Sequence, residues 1–191
     1  MALQALDASE IKASQTHLHV DDRTYLEIER FDRIGLHGRN GMASLKYIDA
    51  EYTGLNKTWP EIAHALLNKN LITEETFLIV ETTYAFGKYI ANTDMHNGNF
   101  SLFIHNLQIT TPTPIYDMLP MAYMPVQGEL RNPELKAPRF IQVSNKANQN
   151  ALKVAKSFWS TVIDHPLISE DFKKTIKLYI EDIKRLPDHI S

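Results

Sequence analysis

Asp94 and Asn99 stand five residues apart in a short polar loop, and this pair constrains the fold more than any other feature of the chain. The loop reads Asn-Thr-Asp-Met-His-Asn-Gly-Asn-Phe-Ser over residues 92–101. It follows a helical pattern that starts at Thr73 and precedes a predicted strand over 100–105. A carboxylate and an amide at the spacing D-x-x-x-x-N match the catalytic loop of phosphotransferases, which orients a hydroxyl and holds a metal on the phosphates. The sequence therefore predicts a phosphotransfer loop held between a helix and a strand.

A second carboxylate is needed to complete a metal site of this kind, and Asp117 is placed to supply it. The strand over 100–105 is predicted to turn near 106–110 and to pair with 113–116 as a hairpin. This return of the chain would bring Asp117 beside Asn99. Oxygen ligands of this kind suit Mg²⁺, which keeps several waters and shares the phosphates of the substrate.

The composition narrows the class of protein. The chain has 191 residues, 43% of them hydrophobic, which is enough for one domain with a buried core. Its net charge of −3 means that the chain has no excess of positive charge with which to bind nucleic acid or an anionic membrane. The absence of cysteine excludes disulfide scaffolds, zinc ribbons and cysteine nucleophiles. With no apolar run of roughly 18 residues and no signal-peptide pattern, we expect a cytoplasmic protein without direct contact to nucleic acid or membrane.

Hydrophobic periodicity predicts an α+β fold that is mostly helical. A helix is expected over 3–18, and the alternation over 24–29 predicts a strand. Thr58 and Glu61 form a capping-box pattern that predicts a helix over 59–69. The other predicted elements are a glycine-containing loop over 35–41, a helix from Thr73, an irregular proline-rich stretch over 106–142, and two long C-terminal helices, the second capped at Ser169.

Three motifs together resemble those of the HipA-like kinases, the toxin components of bacterial toxin–antitoxin modules. The loop continues as Asp-x-His-x-x-Asn-Phe-Ser-Leu-Phe, and the later carboxylate stands in Thr-Pro-Ile-Tyr-Asp-Met-Leu. The run Glu-Arg-Phe-Asp-Arg over 29–33 is similar to the hinge signature of that family. The segments 41–45 and 157–159 look closer to its shorter, HipT-type branch. The resemblance runs from Tyr25 to the C-terminus.

The resemblance implies a serine/threonine protein kinase that uses ATP and Mg²⁺. Asp94 is similar to the catalytic base of the family, and Asn99 and Asp117 resemble its Mg²⁺ ligands. The resemblance alone also implies an antitoxin partner that binds DNA and a protein substrate, an aminoacyl-tRNA synthetase.

A nucleotide site is implied in the same way. His96 stands where the family contacts phosphate or orders the loop. The backbone of Glu29 and Phe31 would hold the adenine edge. Asp117 would belong to the cofactor site as well as to the metal site.

A kinase also has an N-terminal lobe that covers the nucleotide with a glycine-rich loop and a strand lysine. Only 28 residues precede Glu29, and they hold no glycine and a single lysine, Lys12. The prediction is therefore a kinase-like C-lobe with its hinge and a short β-hairpin, and with the N-lobe absent. We favour truncation of a longer protein, with a separately encoded N-lobe as the alternative. The expected parts of the single domain 1–191 are a lead-in helix and turn over 1–23, a hinge strand over 24–33, and a catalytic loop with its metal-binding hairpin over 92–118.

Two other functions stay open. Lacking an N-lobe, the chain would be a non-catalytic binding module that pairs with a separately encoded N-lobe or antitoxin, and an exposed apolar surface would support this alternative. A metal-dependent hydrolase built on His96, Asp94 and Asp117 would require a further His or carboxylate on the same rim. The sequence offers no clear candidate for that ligand.

The single motifs also have plainer interpretations. Asp94 and Asn99 are residue types that cap turns, and His96 is alternatively a structural loop histidine. The glycines of 35–41 lack the Gly-Lys-Ser/Thr of a phosphate loop and are interpreted as a turn. The two histidines of 17–19 lack a third ligand and are interpreted as surface residues.

Overall fold

Helices form most of the regular structure, which confirms the predicted α+β class. The computed structural model describes residues 1–129 and 132–187. The helices are α1 (Ala2–Asp7), α2 (Leu45–Tyr52), α3 (Trp59–Asn68), α4 (Glu74–Tyr89), α5 (Asn145–Asp164) and α6 (Glu170–Lys184). The strands are β1 (Thr16–Val20), β2 (Thr24–Ile28), β3 (Arg33–Ile34), β4 (Gly38–Arg39), β5 (Met42–Ser44), β6 (Ser101–His105) and β7 (Gln108–Pro112).

The strands of the described part of the chain form three small sheets, all antiparallel. β1 pairs with β2 and β3 pairs with β4 as separate ribbons, whereas β5, β6 and β7 form one sheet in that order. The strand predicted over 24–29 is confirmed as β2. The glycine-containing segment 35–41 includes the turn between β3 and β4.

The buried core lies around α4, α5 and α6. Trp159 of α5 is fully buried, and its Nε1 donates to the carbonyl oxygen of Tyr89 over 3.1 Å. The hydroxyl of Tyr179 in α6 donates to the same oxygen over 3.0 Å. Two C-terminal helices thus fix the last residue of α4, shortly before the loop over 92–101 that is predicted to be catalytic.

Helix starts that have local sequence signals are confirmed. The capping box of Thr58 and Glu61 is present at the start of α3. The hydroxyl of Thr73 accepts from the amide of Thr76 at the start of α4, and Ser169 caps α6 in the same way. Each cap satisfies backbone donors that would otherwise have no partner at a helix start.

The helix predicted over 3–18 is wrong beyond Asp7, where α1 ends. Glu10 has a φ of 65°, which a continuing right-handed helix does not allow. β1 follows, and it pairs with β2 so that Leu18 stands opposite Leu26. The β-branched residues of β1 gain little from a helix, and pairing with a second strand satisfies their backbone groups instead.

The hairpin partner predicted for the strand after the catalytic loop is displaced along the chain. β6 pairs with β7, not with 113–116. Asn106 and Leu107 have φ values of 48° and 62°, which are typical of a two-residue type I′ turn, so the chain reverses earlier than predicted. Thr113 nevertheless stays beside β6, because its amide donates to the carbonyl oxygen of Ser101 over 3.0 Å.

The proline-rich stretch predicted as irregular contains β7 and one 3-10 turn, Met121–Tyr123. Its residues 130–131 lie outside the described part of the chain. Within the described part, no helix combines the length and the apolar character that crossing a membrane requires.

Candidate active site

Asn92 shapes the start of the catalytic loop, directly after α4. The residue is 4% exposed, and its Oδ1 accepts a hydrogen bond of 3.0 Å from the backbone amide of Asp94. Its Nδ2 donates to the sulfur of Met118 over 3.4 Å. One buried amide therefore contacts both the residue predicted as the base and the segment that carries Asp117.

Asn99 closes the same loop. It is 8% exposed, and its Nδ2 donates to the backbone carbonyl oxygen of Asp94 over 3.0 Å. Since only the amide nitrogen can donate to a carbonyl, this contact fixes the orientation of the side chain and leaves Oδ1 for a ligand. Asn99 thus does cap a turn, as its plainer interpretation requires, while the oxygen predicted to bind metal has no partner among the described residues.

His96 orders the loop through its ring and its backbone. Its Nδ1 accepts from the amide of Gly98 over 3.0 Å, so the neutral ring carries its proton on Nε2. Its carbonyl oxygen accepts from Nε1 of Trp59 over 3.2 Å. A Cβ at Gly98 would lie 2.8 Å from Cε1 of this ring, so a larger residue there would displace the ring from its present position. These contacts favour loop ordering, and the exposed ring keeps Nε2–H as a donor.

Tyr116 connects the segment of Asp117 to the catalytic loop. Its hydroxyl donates to the carbonyl oxygen of Gly98 over 2.9 Å, so the contact of 2.6 Å with Ser101 is one in which Oγ of Ser101 donates. Burial raises the pKa of the Tyr116 hydroxyl, the hydrogen bond with Ser101 lowers it, and the charge of Asp117 raises it further. The net rise keeps the hydroxyl protonated, and therefore a donor, at neutral pH.

Asp117 lies between two residues, Tyr116 and Met118, that both contact the catalytic loop. Its φ of 52° is in the left-handed region, which aspartate tolerates better than most residues. Asp117 and Asp94 are both exposed, and neither carboxylate accepts a hydrogen bond from the residues that the structure describes. Tyr116 and Met118 therefore bring the segment after β7 back to the loop, and the side chains of Asp94 and Asp117 are both exposed to solvent.

Phe31 connects the predicted hinge to Tyr116 and to β6. Its ring stacks on Tyr116 with centroids 5.9 Å apart and meets Phe103 of β6 edge-on at 6.3 Å. The amide of Glu29 is already used, because it donates to the carbonyl oxygen of Gln15 over 3.0 Å. In the described part of the chain, the Glu29 carbonyl and the Phe31 amide have no hydrogen-bond partner. One acceptor and one donor, two residues apart, are thus available at the hinge.

The donor set predicted for metal consists of one amide oxygen and one carboxylate, from Asn99 and Asp117. Across residues 1–129 and 132–187, no group of three or more His, Asp or Glu side chains lies together as a metal cluster. The chemistry of this small donor set fits Mg²⁺, which is commonly held by one or two protein ligands with water and substrate phosphates. A metal-dependent hydrolase would require a further His or carboxylate ligand beside His96, and the described residues place none there.

Three residues that support the site received no role in the sequence analysis. They are Asn92, Tyr116 and Trp59. Asn92 and Tyr116 each stand within two residues of a predicted ligand or base, and their positions inside the motifs were the available signal. Trp59 follows a helix cap and gives no such signal, because its contact with His96 joins positions 37 residues apart.

The family described as the HipA-like C-terminal domain matches residues 1–185 of the chain. Toxin YjjJ of Escherichia coli (strain K12) is 35% identical over 170 residues, which cover 88% of this chain. The chain spans 38% of the length of that curated relative.

Two solved structures have a similar fold. One is HipA of Shewanella oneidensis MR-1, from a toxin–antitoxin complex of HipA, HipB and operator DNA. Its TM-score is 0.62 at 15% identity, over 95% of this chain and 52% of that one. The other is the proinflammatory kinase CtkA of Helicobacter pylori, with a TM-score of 0.63 at 14% identity, over 98% of this chain and 82% of that one.

Proposed function

The chain belongs to the HipA-like C-terminal domain family, and from that membership we propose that it is the catalytic C-lobe of a toxin-type serine/threonine protein kinase that uses ATP and Mg²⁺ in the cytoplasm. The observation that carries the proposal is the contact between Asn99 and the Asp94 carbonyl. It closes the D-x-x-x-x-N loop while leaving the Asp94 carboxylate and the Asn99 oxygen uncommitted. Because the curated relative is longer than the chain, the proposal concerns the kinase in its full-length form.

Asp94 would orient the hydroxyl of the acceptor serine or threonine and take its proton. Its exposure and its lack of a hydrogen-bond partner in the described residues support this role, since a carboxylate engaged elsewhere would be a weaker acceptor. The hydrogen bond from the Asp94 amide to Asn92 fixes the backbone at the base. Positioning of this kind supplies much of the catalysis in phosphoryl transfer.

Asn99 and Asp117 would hold Mg²⁺ through an amide oxygen and a carboxylate. The metal would neutralise charge that develops on the phosphates during transfer. Asn99 suits this task because its nitrogen is fixed on Asp94, so its oxygen needs no reorientation. Tyr116 would keep Asp117 in place through its contact with Gly98.

The hinge would bind the adenine edge through the Glu29 carbonyl and the Phe31 amide. These two groups supply an acceptor and a donor, which the adenine amino group and ring nitrogen require. His96 would present Nε2–H to a phosphate oxygen, since its Nδ1 is occupied by Gly98.

An antitoxin that binds DNA is proposed as a partner, because the HipA structure with a similar fold comes from a complex with HipB and operator DNA. The protein substrate proposed from the family resemblance is an aminoacyl-tRNA synthetase.

A second candidate function is a non-catalytic binding module that pairs with a separately encoded N-lobe or antitoxin. One face of the β1–β2 ribbon favours it. Four apolar side chains on that face are between 49% and 59% exposed: Leu18, Val20, Leu26 and Ile28. A two-stranded ribbon is marginal on its own, and an apolar face of this kind is typical of an interface.

Phosphoryl transfer separates the two candidates. The full-length kinase, incubated with labelled ATP, Mg²⁺ and a serine-containing protein, is expected to produce phosphoserine, and Asn99→Ala is expected to abolish it. A full-length protein that folds and binds its antitoxin but transfers no phosphate with or without that antitoxin would favour the binding module.

A further inference from the structure

Gly87 is a buried residue of α4, two positions before the helix ends at Tyr89. Glycine is less favourable than alanine inside a helix, because it loses more backbone freedom on folding. The backbone conformation gives no reason for a glycine here, since Gly87 does not have a positive φ, whereas Ala91, just after the helix, has a φ of 57°. The feature that distinguishes Gly87 is therefore the space beside it.

Two methionine side chains fill the space beside Gly87. A Cβ at this position would overlap Sδ of Met95 and would lie 2.6 Å from its Cε, which is closer than real Cβ atoms come to a neighbour. Sδ of Met118 would lie 3.4 Å from the same Cβ. Met118 is 2% exposed, and Met95 is partly buried against the core. A residue with a side chain would close this space, which we call the Gly87 notch.

Each methionine of the notch directly follows a carboxylate of the candidate site. Met95 follows Asp94, and Met118 follows Asp117. Two segments that are distant in the sequence thus meet at one point on α4. Because neighbouring Cα atoms are about 3.8 Å apart, a methionine held in the notch limits where the backbone of its aspartate can lie.

The backbone of Gly87 secures the start of the same loop. Its carbonyl oxygen accepts from the amide of Asn92 over 2.8 Å, and the amide of Ala91 donates to the carbonyl oxygen of the residue after Gly87 over 3.2 Å. With the left-handed conformation of Ala91, these two bonds form a Schellman motif, which ends α4. The side chain of Asn92 then accepts from the amide of Asp94. Gly87 therefore contacts the loop through both its backbone and its notch.

We propose that the Gly87 notch holds the two carboxylates, Asp94 and Asp117, at the spacing that phosphoryl transfer requires. The three residues of the notch act through the aspartates, so they are positioning residues. The inference rests on the proposed kinase function, which assigns the base to Asp94 and a metal ligand to Asp117. A displacement of about 1 Å can slow an enzymatic reaction by about 10²-fold. A methionine side chain is flexible, and the notch supplies the restriction that it lacks.

Gly87→Ala separates positioning from stability, because the two have opposite expectations. Alanine favours the helix, and the crowded atoms are the mobile end of the Met95 side chain, so the urea midpoint should not fall. Met95 should leave the notch and displace Asp94, whereas Met118 meets the new Cβ at an ordinary contact distance and should stay. In the full-length kinase, single-turnover transfer should therefore slow by about tenfold or more, while ATP affinity changes little.

Nuclear magnetic resonance of the chain itself tests the proposal without phosphoryl transfer. In Gly87→Ala, the ε-methyl resonance of Met95 should move, and the amide resonance of Asp94 should shift more than that of Asp117. Met95→Ala removes the atoms that the new Cβ would meet. In that background, Gly87→Ala should therefore shift the Asp94 amide much less, so the two substitutions are expected to be non-additive.

The matched control is Ser160→Ala, at an exposed position of α5, which also raises helix propensity and should change neither transfer nor the Asp94 resonance. An active wild-type kinase whose Gly87→Ala variant transfers phosphate at the same rate would overturn the proposal. An Asp94 shift that persists at full size in the Met95→Ala background would overturn it as well. A wild-type kinase that transfers no phosphate, with the expected non-additive shifts, would overturn the kinase function and leave the positioning of Asp94 by the notch standing.

Discussion

The hydroxyl of Tyr116 donates a hydrogen bond to the backbone carbonyl oxygen of Gly98 over 2.9 Å. The same side chain accepts from Ser101 and stacks on Phe31, so one residue contacts the catalytic loop, the β6 strand and the hinge. Asp117 is its immediate neighbour. Tyr116 is therefore a positioning residue that relates the proposed adenine, metal and base sites to one another.

Tyr116→Phe should keep the stacking on Phe31 and remove both hydrogen bonds. Leaving the Gly98 carbonyl and the buried Ser101 hydroxyl without their partner should lower the free energy of unfolding by about 1–3 kcal/mol, as measured by urea denaturation. In the full-length kinase, turnover should fall while the pH dependence of the rate keeps its shape. Tyr47→Phe, on an exposed tyrosine of α2, is the matched control and should change neither quantity. A Tyr116→Phe protein as stable and as active as the wild type would contradict the positioning role.

Asn92→Ala should destabilise the chain by about 1–3 kcal/mol, because the backbone amide of Asp94 loses its acceptor and the buried Asn92 side chain is lost. The exposed neighbour Thr93→Ala serves as the control, and it should change the free energy of unfolding by less than about 0.5 kcal/mol. Chemical denaturation of both variants measures the difference. Similar stabilities for the two variants would mean that Asn92 does not hold the loop.

The chain by itself should bind ATP with Mg²⁺ weakly or not at all. The groups that the proposal assigns to this chain would contact the adenine and the metal. Residues 1–28 contain no glycine-rich loop and no strand lysine that could bind the phosphates. Calorimetric titration of the purified chain measures this affinity. Micromolar binding would show that these residues supply phosphate contacts that we have not recognised.

The apolar face of the β1–β2 ribbon should bind a hydrophobic dye such as ANS. Leu18→Ser/Leu26→Ser removes one directly opposed pair on that face, so ANS fluorescence should fall while the free energy of unfolding changes little. His19→Ser/Tyr25→Ser, the opposed pair on the other face, should leave the fluorescence nearly unchanged. A large loss of stability in the leucine variant would show that the face is packed rather than exposed.

Elements with local signals were predictable from the sequence, and elements that depend on distant pairing were not. The capping residues Thr58, Thr73 and Ser169 act within one helical turn, so their helices were predicted correctly. The segment 16–20 carries a pattern compatible with a helix, and only its pairing with β2 makes it a strand. The hairpin after the catalytic loop was misplaced because Asn106 and Leu107 form a tight turn without a glycine.

The side chains assigned to the candidate site were chosen from the sequence by type and spacing, whereas the residues that support them could not be chosen in this way. Asp94, Asn99 and Asp117 were selected because their chemistry matches a known reaction. Asn92 and Tyr116 act through contacts that span 26 and 18 residues of sequence, to Met118 and Gly98, and no local pattern encodes such contacts.

The comparison of Asp94→Asn with Asp117→Asn in the full-length kinase tests the central claim most directly. ATP affinity and the single-turnover rate are measured for both. Asp94→Asn should leave ATP affinity nearly unchanged and slow transfer by about 10²–10⁴-fold, because the acceptor hydroxyl loses its proton acceptor. Asp117→Asn should weaken Mg²⁺-dependent ATP binding as well as turnover, because it removes charge from the metal site. An Asp94→Asn enzyme that keeps nearly full turnover, or loses ATP binding as severely as Asp117→Asn, would contradict the division of roles between these carboxylates.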